Sequence, residues 1–484
     1  MLLHVIRKEF RDTLRDGRFL WTGIIVAALL LVALVVGLMR FEEERALRDA
    51  AAAETRQQWL TQGDKNPHEA AHYGVYAFKP STFLSLFDPG VNAYTGSVTL
   101  LEAHRQNDFK FKEAQDSTAL QRFGDLSAAM ILQLLIPLLI ILLTFSAVSG
   151  EREEGTLRQI LSLGVSRSKL IWGKALGVAL TLTVTLLPAI VIGSITIILL
   201  SQSQPIDEHL LKAMPLKVAL LCLAYLAYFW TFIGLSLVVS TLTRSSRAAL
   251  TILLGFWIVN GLLLPRAASD IGRQVYPTPS ALQFANTVAA EKAKGPMPHN
   301  PNHPNHQAFR AEVLKKYGVS RIEDLPVNFY GVALQADEEY GYKVFDRLYG
   351  ALWDEFDKQA RLQQALGVLS PHLALRSLSM AVAGTDFSLH RDFATAAEAY
   401  RRTVQAAMNT ELREGAAGKS VFEADWIYKT GKDVWAKVPP FDYDPPELGV
   451  VLAKETTSLL VLALWLVAAL LAISLAPRAM RVDP

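Results

Sequence analysis

Ser149 to Lys174 reads S-G-E-R-E-E-G-T-L-R-Q-I-L-S-L-G-V-S-R-S-K-L-I-W-G-K and lies between two long uncharged runs, one ending at Val148 and one starting at Ala175. Each run is long enough to cross a bilayer, which takes about 20 residues. The stretch is therefore a short charged connector between two membrane spans. Leu157, Ile160 and Leu161 fall at helical spacing, while Glu151, Glu153, Glu154, Arg158 and Gln159 mostly occupy the other faces. Ser166 is positioned to cap a second short helix carrying Lys169 and Lys174. Two readings stay open on these residues alone. The connector is an amphipathic elbow that docks on a soluble partner, or an interfacial helix with no partner.

Outward from the connector, the 484-residue chain is 51% hydrophobic and 19% charged, and the apolar residues are gathered into runs rather than spread. This pattern predicts an all-α polytopic membrane protein: six transmembrane helices with a mainly helical extracytoplasmic domain. Residues 1–18 form a basic amphipathic elbow helix. The spans follow at 19–39, 126–148, 175–200, 218–241, 248–264 and 456–476, with the connector at 149–174. Two large inserts lie at 40–125 and 266–455, and a short loop at 201–217. Pro137 and Pro188 fall inside spans and mark kinks. The fifth span is short and contains Asn260.

Basic residues set the orientation. With the N-terminus inside, Arg152, Arg158, Arg167, Lys169, Arg244, Arg247, Arg478 and Arg481 all fall on the cytoplasmic side. Both termini are then cytoplasmic and both inserts face outward. The first apolar run is longer than a signal-peptide core and follows an 18-residue polar segment, so it reads as a retained anchor. The formal net charge of +2 gives no support to a nucleic-acid partner, and the single cysteine, Cys222, allows no intrachain disulfide.

In the larger insert, Phe345, Leu348, Tyr349, Leu352, Trp353 and Phe356 make one apolar stripe and Phe393, Ala397, Tyr400, Val404 and Met408 another. Both read as helix faces turned to a core. Gly418-Lys419-Ser420 looks like the end of a phosphate-binding loop, but Arg413 stands where that loop needs glycine. No nucleophile elbow is present, so no catalytic residue is assigned.

His299, His303 and His306 place three imidazoles within eight residues, enough to hold a transition metal. Pro301 and Pro304 break any helix that would align them, so the alternative is a polar Pro/Asn-rich loop. His68, His72 and His104 belong to the other insert and complete a site only if the two inserts meet.

The run Glu151-Arg-Glu-Glu-Gly155-Thr156-Leu157, then Ile160-Leu161, Ser166-Arg167 and Lys174, closely resembles the signature of type-2 ABC transporter permeases. The resemblance covers about 1–265 and 450–484. It implies that the connector holds a coupling helix seated in a cytoplasmic ABC ATPase subunit, with Glu151, Glu153, Glu154, Gly155, Thr156, Leu157, Ile160, Leu161 and Arg167 as the coupling residues. It also implies ATP and Mg on that ATPase, none in this chain, and a second permease subunit, identical or a paralogue, beside it in the lipid. The large insert between spans five and six departs from the simplest permeases and resembles a subgroup with an extracytoplasmic domain of unknown function. The expected function is a non-catalytic permease of an ATP-driven exporter. The alternative is a mechanical relay or scaffold that rearranges an extracytoplasmic partner and moves no solute.

Overall fold

The computed structural model describes residues 1–117, 126–202, 208–419 and 427–481. Residues 118–125 of the first insert, 203–207 of the short loop, 420–426 with Ser420, and 482–484 lie outside the described residues. Among the described residues, six helices are long and apolar enough to cross a membrane: Phe19–Leu60, Ala128–Glu153, Arg167–Gln202, Leu211–Leu242, Ser246–Val275 and Thr456–Ala479. The protein is an all-α polytopic membrane protein. A single antiparallel pair, β1 (Val75–Phe78) and β2 (Val98–Leu101), is the one sheet among the described residues.

The chain opens with α1 (Leu2–Arg15), then α2 (Gly17–Leu60), which contains the first span. At 1.5 Å per residue, the 44 residues of α2 reach about 66 Å, twice the roughly 30 Å of hydrocarbon. The helix is thus a strut whose far half leaves the membrane. The third and fourth spans are α7 (Arg167–Gln202) and α8 (Glu208–Leu242), and the last is α16 (Thr456–Ala479). Helix α8 is the hub, packing against the second, third, fifth and sixth spans. Its Tyr228, Phe232, Ser236, Leu237 and Ser240 are fully buried. Lipid gives helices no hydrophobic reason to associate, so close packing and polar contacts must supply one. Tyr228 donates to the Gln133 carbonyl at 3.0 Å, and Gln133 donates to the Tyr225 hydroxyl at 2.8 Å.

The second and fifth spans share a device. In the second, a π turn at Ile131–Leu135 runs into α4 (Ile136–Thr144), which carries Pro137. In the fifth, α9 (Ser246–Ile258) meets a π turn at Val259–Leu263 and continues as α10 (Leu264–Val275), which carries Pro265. Proline lacks an N–H and its ring crowds the carbonyl four residues back; a wide turn just before it relieves both. Asn260 sits in the second π turn and is buried, yet satisfied: Ser370 Oγ donates to its Oδ1 at 2.7 Å. Pro188, in contrast, lies inside an unbroken α7.

The two inserts form one body. Helices α13 (Phe329–Leu366) and α15 (Phe387–Gly415) pack together, and Phe393, Ala397, Val404 and Met408 of α15 are buried. Of the other stripe, Phe345 is buried while Leu348, Tyr349, Leu352, Trp353 and Phe356 are half-buried. The core around α15 also contains Trp59, Ala70, Ala71, Val75, Ala77 and Leu101 from the first insert. Trp59 Nε1 donates to the Trp435 carbonyl at 2.9 Å, and Trp435 Nε1 to the Gly63 carbonyl at 3.1 Å. The tip of the α2 strut is therefore planted in a core built from both inserts.

Candidate functional site

The connector folds into two short helices, α5 (Ser149–Glu153) and α6 (Thr156–Ser162), joined by Gly155. Gly155 adopts φ +74°, a left-handed conformation that side chains disfavour, and a Cβ there would meet nothing within 4 Å. The glycine is needed for the turn itself, not for a close approach within the chain. Thr156 Oγ1 donates to the Glu151 carbonyl at 3.1 Å and tightens the same turn.

The inner side of this elbow is bolted to the bundle. Arg152 is buried, and its guanidinium donates to the carbonyls of Thr241 at 2.8 Å and Arg481 at 2.9 Å, with a third bond to Thr243. One side chain thus ties the elbow to the end of α8 and to the tail after α16. Glu153 accepts from Ser246 N at 3.0 Å and Ser246 Oγ at 2.7 Å. Ser240 Oγ accepts the Val148 and Ser149 N–H groups at 3.1 and 3.2 Å. Leu157 is fully buried, with Ile160 and Leu161 partly buried against the same core. Leu157, expected among the coupling residues, is thus turned inward, where an apolar side chain has lower free energy than in water.

A second tie links the elbow to α1. Lys174 is 2% exposed, with its ammonium 2.8 Å from Glu9 and 2.7 Å from Glu151. Helix α1 reaches α7 because Gly173 and Gly177 are bare: a Cβ on Gly173 would come within 2.7 Å of Val5 Cβ, and one on Gly177 within 2.6 Å of Glu9 Cβ. Small residues four apart let two helices approach this closely. Burial raises the Glu9 carboxyl, but Lys174 and Lys8 outweigh it and hold the group below its ordinary value. A cleft of about 290 Å³ remains between α1 and the elbow, lined by His4, Lys8, Glu151, Ile160 and Leu170 among others. The outer side of the elbow is exposed: Glu154, Gly155, Arg158, Gln159, Leu163 and Arg167.

The histidines of the inserts are regrouped by the fold. His68 and His72 lie one turn apart on α3 (Pro67–Tyr73), which the Asn66–Glu69 capping box starts. His104 follows β2. His299 meets them, whereas its sequence neighbours do not. His303 caps α12 (Pro304–Tyr317), its side chain accepting from Asn305 N, and His306 is buried with its ring 5.6 Å from that of Phe329. His299 Nε2 is 3.0 Å from His104 Nε2, and His72 Nε2 is 3.2 Å from His68 Nε2. Burial, then the His104 and His72 rings, pushes His68 down to about 2; burial and His104 push His299 to about 4. His104 goes the other way. Burial lowers it, but Asp337 and Glu338 accept from it and raise it overall. Burial raises Glu338, yet His104 and Arg401 hold it at about 2.

Sequence reasoning missed the roles of Lys174, Glu9 and Arg152. A lysine at the mouth of an apolar run and an acid in an otherwise basic helix were the available signals. The i, i+4 spacing of His68 and His72 was the signal for the histidine group.

Residues 88–265, which hold the elbow and spans two to five, match the family described as ABC-2 family transporter protein. Residues 281–444 match a domain of unknown function, DUF3526. Curated proteins give no match. Together with the six candidate spans, the first match makes the membrane part of the chain similar to the type-2 ABC transporter permeases. The second match marks a further domain of unknown role.

Proposed function

We propose that the protein is the permease of an ATP-driven exporter of the bacterial inner membrane, and that a separate ATPase docks on the exposed side of the elbow. One observation carries this reading: the elbow is fastened on its inner side to α1, α7, α8 and the tail, while Glu154, Gly155, Arg158 and Gln159 stay exposed. A push on that face moves several spans together, because the elbow cannot slide without breaking buried polar bonds. ATP and Mg sit on the ATPase, and closure of two ATPases acts on two permease subunits, identical or paralogous. The states differ in how tightly the elbow is held, which any population shift requires. Both termini and the elbow are then cytoplasmic and the insert body is extracytoplasmic, in keeping with the placement of basic residues.

The contact set narrows relative to the sequence pattern. Glu154, Gly155 and Arg167 face outward and meet the ATPase; Glu151, Glu153, Thr156, Leu157, Ile160 and Leu161 hold the elbow to the bundle. Glu154→Lys should leave folding intact and abolish substrate-stimulated ATPase activity of the reconstituted complex. Leu157→Asp should lose the folded protein instead. Full coupling in Glu154→Lys would refute the docking site.

A relay reading is favoured by the α2 strut, which joins the membrane to the body, and by Glu455, which accepts from Gln364 at 2.8 Å and Ser377 at 3.0 Å at the start of α16. In that reading the strokes rearrange the body and an extracytoplasmic partner. ATP-dependent solute movement in sealed vesicles decides for export. Its absence, with ATP-dependent exchange changes in the body, decides for the relay.

A further inference from the structure

His68, His72, His104 and His299 each offer one ring nitrogen, and these four atoms lie within 4.8 Å of one another. Three of the four come from the first insert and the fourth from the second. They meet because the two inserts share one core, in which Trp59 lies with Trp435. We propose that these four imidazoles bind one divalent transition metal ion, with zinc as the occupant, and that the ion pins the two inserts together.

The donor set selects the class of ion. Four imidazole nitrogens, with no thiolate and no carboxylate among the four, suit zinc and its neighbours and disfavour calcium and magnesium, which take oxygen ligands. A tetrahedral zinc with bonds of about 2.0–2.1 Å has nitrogens about 3.3 Å apart. Two of the pairs stand at 3.0 and 3.2 Å, close to that spacing, and all four atoms lie within 4.8 Å. Nitrogens this close either share a proton or share a cation.

The surroundings fit the second case. His104 Nδ1 lies 3.1 Å from both Asp337 Oδ2 and Glu338 Oε1, and His299 Nδ1 lies 3.1 Å from the Tyr330 hydroxyl. With the δ nitrogens engaged, the ε nitrogens of both rings are left to the cluster, as outer-shell partners do for metal-bound histidines. Arg401 in turn holds Glu338 at 2.9 Å and Glu398 at 2.7 Å, all three buried. The two acidic residues against His104 supply negative charge beside the ion. His104 itself has φ +63°, and the strain is held by its N–H on Glu338 Oε1 at 2.5 Å and by Lys292 on its carbonyl at 3.0 Å. His72 and His299 are exposed and give the ion a route in, while His68 is buried at the back with Nδ1 unpartnered.

The test uses the full-length protein in detergent, its purification tag removed and metal stripped by a chelator. Zinc added alone should bind at one equivalent per chain by calorimetry, and cobalt should give the visible spectrum of a tetrahedral site. His72→Ala and His299→Ala change exposed residues and should each weaken binding at least 100-fold. Asp337→Asn should weaken it 10- to 100-fold, and His303→Ala and His306→Ala should leave it unchanged. Zinc should protect the wild-type body from limited proteolysis and fail to protect His299→Ala. The proposal is overturned if wild type binds no zinc, if binding survives the His72→Ala/His299→Ala double variant, or if His303→Ala removes it equally.

Discussion

Replacing Lys174 by methionine tests whether a buried charge holds α1 to the elbow. The substitution keeps the packing volume and removes the ammonium, leaving Glu9 and Glu151 facing each other with side chains 13% and 14% exposed. Breaking a buried pair by deleting one partner costs about 3–5 kcal/mol. Lys8 stays within 3.3 Å of Glu9 and 3.7 Å of Glu151 and takes up part of the charge, so the low end, about 3 kcal/mol, applies. At 1.4 kcal/mol per tenfold, that is roughly a 10²-fold rise in the population with α1 undocked. Hydrogen exchange on α1 peptides, measured on the protein in lipid nanodiscs, reads this population directly. Adding Glu9→Gln and Glu151→Gln should restore most of the protection, because a neutral cluster carries no desolvated charge. A change below threefold in Lys174→Met would refute the reasoning and leave lipid as what holds α1.

Two further perturbations concern the insert body. Trp59→Ala empties a fully buried site at the tip of α2 and deletes its bond to the Trp435 carbonyl. The cost should be about 3–5 kcal/mol, seen as rapid proteolysis within both inserts while the membrane spans stay protected. Arg401→Met strips the buried Glu338 and Glu398 of their shared guanidinium, leaving Glu338 to His104 and Glu398 to Arg402, and should cost about 3 kcal/mol. Thermal unfolding should show that loss, and Glu338→Gln/Glu398→Gln in the same chain should recover it.

The six spans were legible because a bilayer demands long uncharged runs, and hydropathy is a local property. The elbow was legible for the same reason, as a charged break between two such runs. Its facing was not. Helical spacing gathers Leu157, Ile160 and Leu161 on one face, but whether that face meets the spans or a partner depends on what lies beside it, and Leu157 is buried. Asn260 weakened the fifth span on paper, yet Ser370, 110 residues away, satisfies it. The histidine group shows the limit most clearly. Proximity in sequence put His299 with His303 and His306, while α12 begins at Pro304 and turns the latter two into a cap and a core residue. The stripe of α15 reads as core from its spacing and is buried at Phe393, Ala397, Val404 and Met408, but nothing local in it says that most of its buried partners come from residues 59–103.

The pairing of Trp59 with Trp435 also sets an order for biosynthesis. These residues are 376 positions apart. At 5–20 residues per second, the first insert is made roughly 20–75 s before the segment that completes its core. In that interval four more spans must be threaded into the membrane while Ala70, Ala71, Val75 and Ala77 wait without their cover. A nascent chain in this state is open to proteases and to mispairing, and late, non-local closure of this kind is slow. A chaperone on that side of the membrane, or a partner already bound to the first insert, would shorten the exposure.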